Sequence, residues 1–439
     1  MPLYDIYYNI MPDGTVKQIN PFTDTEVWAV PGRGSKPISN EIPSTAKPID
    51  KSLENNYCSF CLNKFVEVPP EKARLVKADW GYRQLKFLTA EKYYETIPEF
   101  RRVPNLFEIV TLEYWRKNYN YRIPEERKMW RDEYLSTPLG IKHIDGLLEY
   151  KLKQSGKTDE QIKKMHAYDK LAMADAFFGG SHELIIAKPH FSKDAEWDSQ
   201  LYSSGEMTHE EHYQYFRFTI DAMKDIIDNN RYARYISVFQ NWLRPAGASM
   251  DHLHKQLVAL DEWGSSIHGQ IKMLREDPNV FNELAANFAA RHNLIFAEND
   301  FAIAIAGIGH RFPTIEIYSR SQSGRPYEHT ENEIRGVSDL VHAFHVAMGG
   351  GLSCNEEWYY TPIDAVYKMP WHVLIKWRLT VPAGFEGGTG IYINPVTPIE
   401  LRDKLVPRLY QVRDEGRISG IRIAEECKIF PNPLKYYLK

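Results

Sequence analysis

The 439-residue chain has only four cysteines, which excludes a scaffold held together by disulfides in a chain of this length. It also has little net charge, because 54 Lys and Arg are matched by 58 Asp and Glu. Without a long basic block, the chain offers no electrostatic footprint for nucleic acid or for an anionic membrane. No apolar run approaches the roughly 18 residues of a membrane span, and the N-terminal residues do not resemble a signal peptide. We therefore expect a cytoplasmic protein without nucleic-acid or membrane partners.

The composition that remains, 43% hydrophobic and 26% charged, is that of a folded globular chain. The first 50 residues are rich in Pro, Gly, Ser and Thr. They include Pro31-Gly-Arg-Gly-Ser-Lys-Pro37, which reads as a loop able to approach an anion or as a surface arm. Residues 112–178 are highly charged and favour helix, so we expect an exposed helical insertion there.

An ordered series of strand, capped helix and two further strands begins near residue 184. An apolar strand over residues 184–187 precedes Thr208-His-Glu-Glu211, which has the Ser/Thr-x-x-Glu form of a capping box. Strands are expected over residues 235–239 and 252–260. The apolar residues of the helix have a 3,4,3,4 spacing that lines one face: Tyr213, Phe216, Ile220, Met223 and Ile227.

The same series occurs again in the second half of the chain. A strand over residues 314–318 precedes a second capping box, Thr330-Glu-Asn-Glu333, and strands are expected over 357–360 and 371–377. Two units in the same order predict a duplicated α+β fold, in which each helix packs on an antiparallel sheet. The second helix has the same apolar spacing: Ile334, Val337, Val341, Phe344 and Met348.

Two of the four cysteines form the motif Cys58-Ser-Phe-Cys61. Two thiolates with this spacing fit neighbouring corners of a zinc tetrahedron, and the other two ligands must come from elsewhere in the chain. Because the chain has no second CxxC, we expect those ligands to be histidines. A redox pair or two buried thiols are the alternatives that this spacing leaves open.

A second polar constellation is His252-Leu-His254-Lys-Gln256. On a strand, residues two apart point to the same face, so the two imidazoles and the amide form one row. Such a row suits a metal ligand, a nucleophile and a donor to phosphate oxygens. The preceding segment, residues 241–249, is a loop of small residues that would let a phosphate approach the backbone. A solvated polar edge is the alternative interpretation.

These motifs resemble the active-site signature of the galactose-1-phosphate uridylyltransferases, a branch of the histidine-triad superfamily. The resemblance covers most of the chain except about residues 112–178 and the last 40. It rests on Asn241 followed by Gly-Ala-Ser249 and His-x-His-x-Gln, and on further motifs in the family's order. These are Asn20-Pro-Phe-Thr with Arg33-Gly-Ser-Lys36, the CxxC, Asn105-Leu-Phe107, Ala187-Lys-Pro-His190 and Gly384-Phe-Glu-Gly-Gly-Thr-Gly-Ile-Tyr-Ile-Asn-Pro395.

The resemblance implies a closed, structural zinc site, one per chain, and a covalent mechanism. His254 would be the nucleophile that attacks the α-phosphorus of a nucleoside diphosphate sugar, giving a nucleotidyl-histidine. Gln256 and Ser249 would donate to the phosphoryl oxygens as charge develops. The implied zinc ligands are Cys58, Cys61, His190 and His252.

The resemblance also implies substrate contacts. Arg33 and Lys36 would neutralise the second phosphate, and Asn241 would steady the loop or the leaving phosphate. Asn105 would contact the nucleoside, and Phe385 and Glu386 would lie on the sugar side.

The chain also differs from the family pattern in places. Leu253 and Lys255 stand where the family commonly has Pro and Gly, and Lys255 is expected to point away from the histidines. Tyr392 lies near the position of a sugar-contacting Gln in the uridylyltransferases. The strand around Trp371 lacks the paired histidines of a second metal site.

Together these observations predict an α+β fold made of two histidine-triad-like units, each an antiparallel half-barrel with a packed helix. An N-terminal phosphate-binding arm would cover residues 1–50, and the first half, with zinc and nucleophile, residues 51–265. A degenerate second half would follow at 266–400, with a C-terminal extension at 401–439.

The expected function is transfer of a nucleoside monophosphate from a nucleoside diphosphate sugar to a sugar 1-phosphate. The alternatives are a nucleotide-sugar phosphorylase that uses inorganic phosphate, a hydrolase, and a non-catalytic, zinc-containing nucleotide-binding protein. The oligomeric state is left open, with a homodimer as one possibility.

Overall fold

The computed structural model describes residues 4–32, 44–53 and 55–438. Its strands are β1 (Tyr8–Ile10), β2 (Val16–Ile19), β3 (Glu26–Ala29), β4 (Ala73–Ala78), β5 (Gly81–Lys86), β6 (Pro98–Pro104), β7 (His182–Ala187), β8 (Tyr235–Trp242), β9 (His254–Leu260), β10 (Ile295–Glu298), β11 (Ala302–Ala306), β12 (Thr314–Ser319), β13 (Cys354–Tyr359), β14 (His372–Trp377), β15 (Ile391–Ile393) and β16 (Arg422–Ile423).

The α-helices of the same residues are α1 (Tyr4–Tyr7), α2 (Leu112–Tyr119), α3 (Glu125–Tyr134), α4 (Pro138–Gln154), α5 (Asp159–Lys163), α6 (Ala167–Gly179), α7 (His209–Asn229), α8 (Ser265–Glu276), α9 (Asn287–Arg291), α10 (Glu331–Met348), α11 (Gly384–Thr389) and α12 (Pro398–Asp414). No helix in this described part is long and apolar enough to cross a membrane.

A twelve-stranded sheet runs through the described part, in the order β16-β10-β11-β12-β14-β13-β8-β9-β7-β6-β4-β5. Its neighbouring strands all pair antiparallel. On either side of the central β13–β8 pair the strands follow the same scheme, β14 next to β12 and β9 next to β7. Strands from both halves of the chain therefore share one sheet and one continuous surface.

The two helices predicted from apolar spacing are α7 and α10. In each, the threonine side chain accepts from the backbone N–H three residues later and the glutamate side chain reaches back, so both capping boxes are confirmed. The apolar stripe is buried in α10 and is buried in α7 except for the half-buried Ile227. The two helices pack against each other. This packing buries apolar faces that would be exposed to water if either helix stood alone.

Lys255 shows which face of the sheet these helices cover. Its Nζ lies 4.7 Å from the ring centroid of Tyr215 and 5.1 Å from that of Phe216, both on α7. It donates to Glu356 Oε1 on β13 at 2.6 Å. Since side chains alternate along a strand, His254 and Gln256 face the opposite side. The predicted orientation of Lys255 is therefore confirmed.

The segment 112–178 is helical, as predicted, but it is not simply an exposed insertion. Helices α3, α4 and α6 enclose a small core of their own, and Arg127 of α3 forms an ion pair with Asp225 of α7. The difference arises because aromatic residues are spaced among the charges, so each helix still has a face to bury. The buried members are Trp130, Tyr134, Ile144, Leu147, Leu148, Ala174, Phe177 and Phe178, with Ala90.

A smaller sheet of order β1-β2-β3-β15 joins the N-terminal segment to the C-terminal part of the chain. Asn20 fixes this segment to the second half, since its Nδ2 donates to the carbonyl oxygen of Ile308 at 2.9 Å. Arg33 and Lys36, the cations expected to hold phosphate, lie outside the described residues.

Candidate functional site

Four predicted ligands come together from three separate parts of the chain. Atoms of Cys58, Cys61, His190 and His252 all lie within 4.8 Å of one another and could hold a metal ion. The two Sγ atoms are 3.8 Å apart, and Nδ1 of His190 lies 3.4 and 3.5 Å from Cys58 and Cys61. Nδ1 of His252 lies 3.5 Å from Cys58 Sγ. Two soft sulfur atoms and two imidazole nitrogens are a donor set typical of transition metals.

Local structure orients this cluster. The backbone N–H of Cys61 donates to the carbonyl of Cys58 at 2.9 Å, a turn that brings the two thiols to one side. His252 immediately precedes β9, and its Nε2–H donates to the carbonyl oxygen of Ala187, at the end of β7, at 2.7 Å. A hydrogen bond to the far nitrogen fixes the tautomer, so Nδ1 presents its lone pair to the cysteines.

His254 begins β9 and is buried, with 3% of its surface exposed. Its Nδ1–H donates to the carbonyl oxygen of His252 at 2.7 Å, which leaves the lone pair on Nε2. Burial lowers the pKa of His254 to about 4, against a smaller opposing effect of that hydrogen bond. The ring is therefore neutral near pH 7. The Phe60 ring, from between the two cysteines, packs edge-on against it at 5.1 Å.

Gln256 is held by a histidine that the sequence motifs did not single out. His182, at the start of β7, accepts from the backbone N–H of Ile109 at Nδ1 (3.0 Å), so its proton is assigned to Nε2. That nitrogen lies 3.1 Å from Gln256 Oε1 and 3.1 Å from Asn105 Nδ2. With the amide oxygen occupied by His182, the NH2 group of Gln256 is the end available to a ligand.

His182 thus lies between the predicted nucleoside contact, Asn105, and the predicted phosphate donor, Gln256. A signal for it was present in the sequence, because His182 stands at an even spacing before Leu184 and Ile186 of a strand and therefore shares their face. Leu184 and Ile186 pair directly with Gln256 and His254. Only that strand pairing identifies which polar residue lies next to the row.

Asn241 lies on β8, the strand on the other side of β9. Its side-chain Oδ1 accepts from Asn355 Nδ2 of β13 at 2.7 Å. Ser249 lies in the loop between β8 and β9 and is exposed. That loop turns at Gly247, whose φ of 86° is readily adopted only by glycine. Asn241 is thus anchored by the second half of the sheet, whereas Ser249 lies in an exposed loop.

Phe385 and Glu386 are not part of this group. They belong to the short helix α11 and line a different cleft of about 730 Å³, together with Val30, Val381 and Pro395. Helix α11 leads into β15, which pairs with β3 of the small sheet. The predicted sugar-side motif therefore lies beside the N-terminal segment rather than against His254 within this chain.

Comparison with known proteins identifies the family. A family described as a domain of unknown function, DUF4921, matches residues 11–436. The chain belongs to this family. Among curated proteins, this DUF4921 member is 25% identical over 173 residues to ADP-glucose phosphorylase of Arabidopsis thaliana. That match covers 37% of the chain and 49% of the relative, so the chain spans about half the length of the curated relative it matches.

Solved structures show the same fold at low sequence identity. The crystal structure of an ADP-glucose phosphorylase from Arabidopsis thaliana with bound ADP-glucose has a TM-score of 0.55 and 16% identity, covering 89% of this chain and 98% of that chain. A GalT-like protein from Arabidopsis thaliana has a TM-score of 0.52 and 16% identity, covering 80% of this chain and 92% of that chain. One of these neighbours is itself described as GalT-like. The resemblance is thus confirmed, and the fold is mixed α and β with large antiparallel sheets.

Proposed function

We propose that the protein is a nucleotidyltransferase that moves a nucleoside monophosphate between phosphate acceptors through a covalent bond to His254. The observation that supports this most strongly is the position of His254 beside Gln256. A buried, neutral imidazole is fixed through Nδ1, and its Nε2 lone pair lies on the same strand face as Gln256. A purely structural histidine would not require an unoccupied nitrogen next to a prepositioned amide.

In the first step, Nε2 of His254 attacks the α-phosphorus of a nucleoside diphosphate sugar. The bond between that phosphorus and the bridging oxygen breaks, and the sugar 1-phosphate leaves. The imidazole ring becomes cationic in the adduct, and the carbonyl oxygen of His252 stabilises the Nδ1–H that the ring retains. The NH2 group of Gln256 donates to a nonbridging phosphoryl oxygen. No proton transfer is needed in this step.

In the second step, an oxygen of the acceptor attacks the same phosphorus and releases His254. A sugar 1-phosphate as acceptor yields a new nucleoside diphosphate sugar, and inorganic phosphate yields a nucleoside diphosphate. A curated relative and a solved structure are both named ADP-glucose phosphorylase. Inorganic phosphate is therefore as well supported an acceptor as a sugar 1-phosphate. ADP-glucose is accordingly the first donor to test.

We propose that the Cys2His2 cluster holds one structural zinc ion. Zinc bonds of about 2.3 Å to sulfur and 2.0–2.1 Å to nitrogen give a tetrahedron with edges of about 3.8 Å (S···S) and 3.5 Å (S···N). In the cluster the sulfurs are 3.8 Å apart, and three of the four sulfur–nitrogen pairs are 3.4 to 3.5 Å apart. With four protein ligands, no position is left for substrate. The ion would fix His252, and through its carbonyl the orientation of His254.

We further infer that the two halves of the sheet are versions of one histidine-triad unit. The strand scheme, the two capped helices and a histidine at the start of both β9 and β14 support this interpretation. The expected phosphate contacts of Arg33 and Lys36, and the role of Ser249 as a second donor, remain part of the proposal.

Mass spectrometry tests the function directly. The protein is mixed with ADP-glucose, UDP-glucose, UDP-galactose and GDP-mannose, and the peptide that contains His254 is examined for the mass of the matching nucleotide. One donor should give an acid-labile adduct on wild-type protein and none on His254→Ala. Radiolabelled inorganic phosphate or glucose 1-phosphate, added to the isolated adduct, then identifies the acceptor. Absence of any adduct, with normal turnover by His254→Ala, would overturn the proposal.

A further inference from the structure

The row of residues that contains Gln256 continues into the second half of the chain. Gln256 of β9 is directly opposite Phe239 of β8, and Phe239 is directly opposite Glu357 of β13. Residues paired in this way project to the same face of an antiparallel sheet. At about 4.8 Å per strand, the Cα of Glu357 lies about 10 Å from that of Gln256. Glu357 is therefore within the length of one small ligand from the proposed site of phosphoryl transfer.

A cleft of about 440 Å³ covers this part of the sheet. Its lining includes Asn241, Phe239, Ser237, Trp263 and Glu357. Asn241 borders the phosphate end, while Trp263 lies in the segment that follows β9. The cleft combines aromatic surface with a hydroxyl and a carboxylate, the mixture that small-molecule sites use to fix orientation.

Glu357 is held in place before any ligand arrives. Its Oε2 accepts from Lys376 Nζ at 2.6 Å and from Tyr359 OH at 2.7 Å. Burial is the largest single effect and opposes its ionisation, but Lys376 and Tyr359 together outweigh it, so the pKa of Glu357 is lowered. Both donors bond the same oxygen, and none of the described residues donates to Oε1. One carboxylate oxygen is left to accept hydrogen bonds from a ligand.

The chemistry of the cleft selects its occupant. A carboxylate repels phosphate groups and accepts from hydroxyl groups, and charge-assisted hydrogen bonds are the strong ones. Resting on the proposed function, we propose that this cleft binds the sugar of the sugar 1-phosphate, and that Glu357 Oε1 accepts hydrogen bonds from its hydroxyls. The sugar would extend along the sheet from the phosphate near Asn241 towards Glu357. The second half of the chain, in place of a nucleophile, thus supplies specificity.

Direct binding tests this inference without turnover. Glucose 1-phosphate and galactose 1-phosphate are titrated by calorimetry into two proteins. The parent is His254→Ala, and the test variant carries Glu357→Gln in addition. Glu357→Gln should weaken binding about 10- to 100-fold, the loss expected for a hydrogen bond to a charged group. Inorganic phosphate should bind the two proteins equally within about twofold, because it does not reach Glu357.

Two further variants separate binding from folding. Ser237 lines the same cleft and forms no ion pair. Ser237→Ala should weaken sugar 1-phosphate binding several-fold while leaving Tm unchanged. Glu149→Gln, on the surface of α4, is the matched control and should bind as the parent does. Equal affinity of Glu357→Gln and its parent for both sugar phosphates, or no binding by the parent at millimolar concentration, would overturn the inference. Failure of the proposed function is a different result, namely no adduct on wild-type His254.

Discussion

Strands β9 and β14 occupy matching places in the two halves of the sheet, and each begins with a buried histidine. His254 Nδ1–H donates to the carbonyl of His252 at 2.7 Å, and His372 Nδ1–H donates to the carbonyl of Pro370 at 2.9 Å. Burial lowers the pKa of both imidazoles to about 4. The same backbone geometry therefore gives both rings one orientation and one protonation state.

The neighbours of the two rings differ. His252 lies two residues before His254, and Gln256 lies two residues after it. The corresponding positions around His372 are Pro370 and Leu374. Tyr318 and Tyr359 stack on the two sides of His372, with ring centroids 4.9 and 5.3 Å away. An oriented neutral histidine is thus a product of the fold, and reactivity requires the metal ligand and the amide beside it.

The largest expected effect separates the two histidines themselves. His254→Ala should abolish the nucleotidyl adduct and lower turnover by about 10⁴-fold or more, the scale for loss of a covalent nucleophile. His372→Asn should still form the adduct, because His372 lies enclosed between two rings. Intact-protein mass spectrometry and steady-state rates measure both. Adduct formation on His372, or its loss in His372→Asn despite normal folding, would contradict this assignment.

The metal cluster is the second difference between the halves. Cys58→Ser should remove zinc and lower the free energy of unfolding by about 4 kcal/mol or more, because metal binding is part of folding. Elemental analysis and urea unfolding measure the two effects. Cys427→Ser is the control, since Cys427 lies outside the cluster, and it should keep one zinc per chain. A metal-free wild type of unchanged stability would show that the cluster is not a zinc site.

The amide beside His254 has an intermediate effect. Gln256→Ala should slow adduct formation by roughly 10² to 10³-fold, as for one lost oxyanion donor. His182→Leu should slow it less, by about tenfold, since the amide remains but is no longer oriented. Because the two act as a unit, the double variant should be no slower than Gln256→Ala. Single-turnover kinetics measure this, and full additivity would mean that His182 acts independently of Gln256.

The smallest effect concerns pH. The pKa of His372 is about 4 in the folded chain and about 6.5 when unfolded. Between these values the unfolded state binds a proton that the folded state does not, so stability falls as pH decreases through this window. The loss is roughly 1.4 kcal/mol per pH unit below 6.5. Between pH 7.5 and 5.5 the free energy of unfolding of His372→Asn should therefore decrease by about 1 kcal/mol less than that of wild type. Urea unfolding at the two pH values measures this. Equal losses would contradict the burial of a neutral His372.

Local patterns predicted most elements near the site. The 3,4,3,4 apolar spacing and the capping boxes predicted α7 and α10, because helix faces and helix ends depend on residues only a few positions apart. The alternation of His252, His254 and Gln256 correctly separated them from Lys255. The boundary was less accurate, as β9 begins at His254 while His252 lies just before it. The reason is that His252 bonds the end of β7 through its side chain rather than through strand pairing.

Long-range contacts could not be predicted in the same way. His182 and Glu357 lie 74 and 101 positions from Gln256, and only strand pairing brings them onto its face. The helical insertion was expected to be exposed because its charge is visible in sequence, whereas the burial of Trp130 and Phe178 depends on how its helices pack.

The sequence by itself determined the chemistry available to this protein: two thiols, the histidines and an amide at spacings that select one strand face. It also determined the capped helices, since both features depend on near neighbours along the chain. The tertiary structure alone decided which histidine nitrogen is unoccupied, which residue orients Gln256, and that the second half extends the same surface to Glu357. These outcomes depend on strand register, and register is set by the packing of whole sheet faces rather than by any short motif.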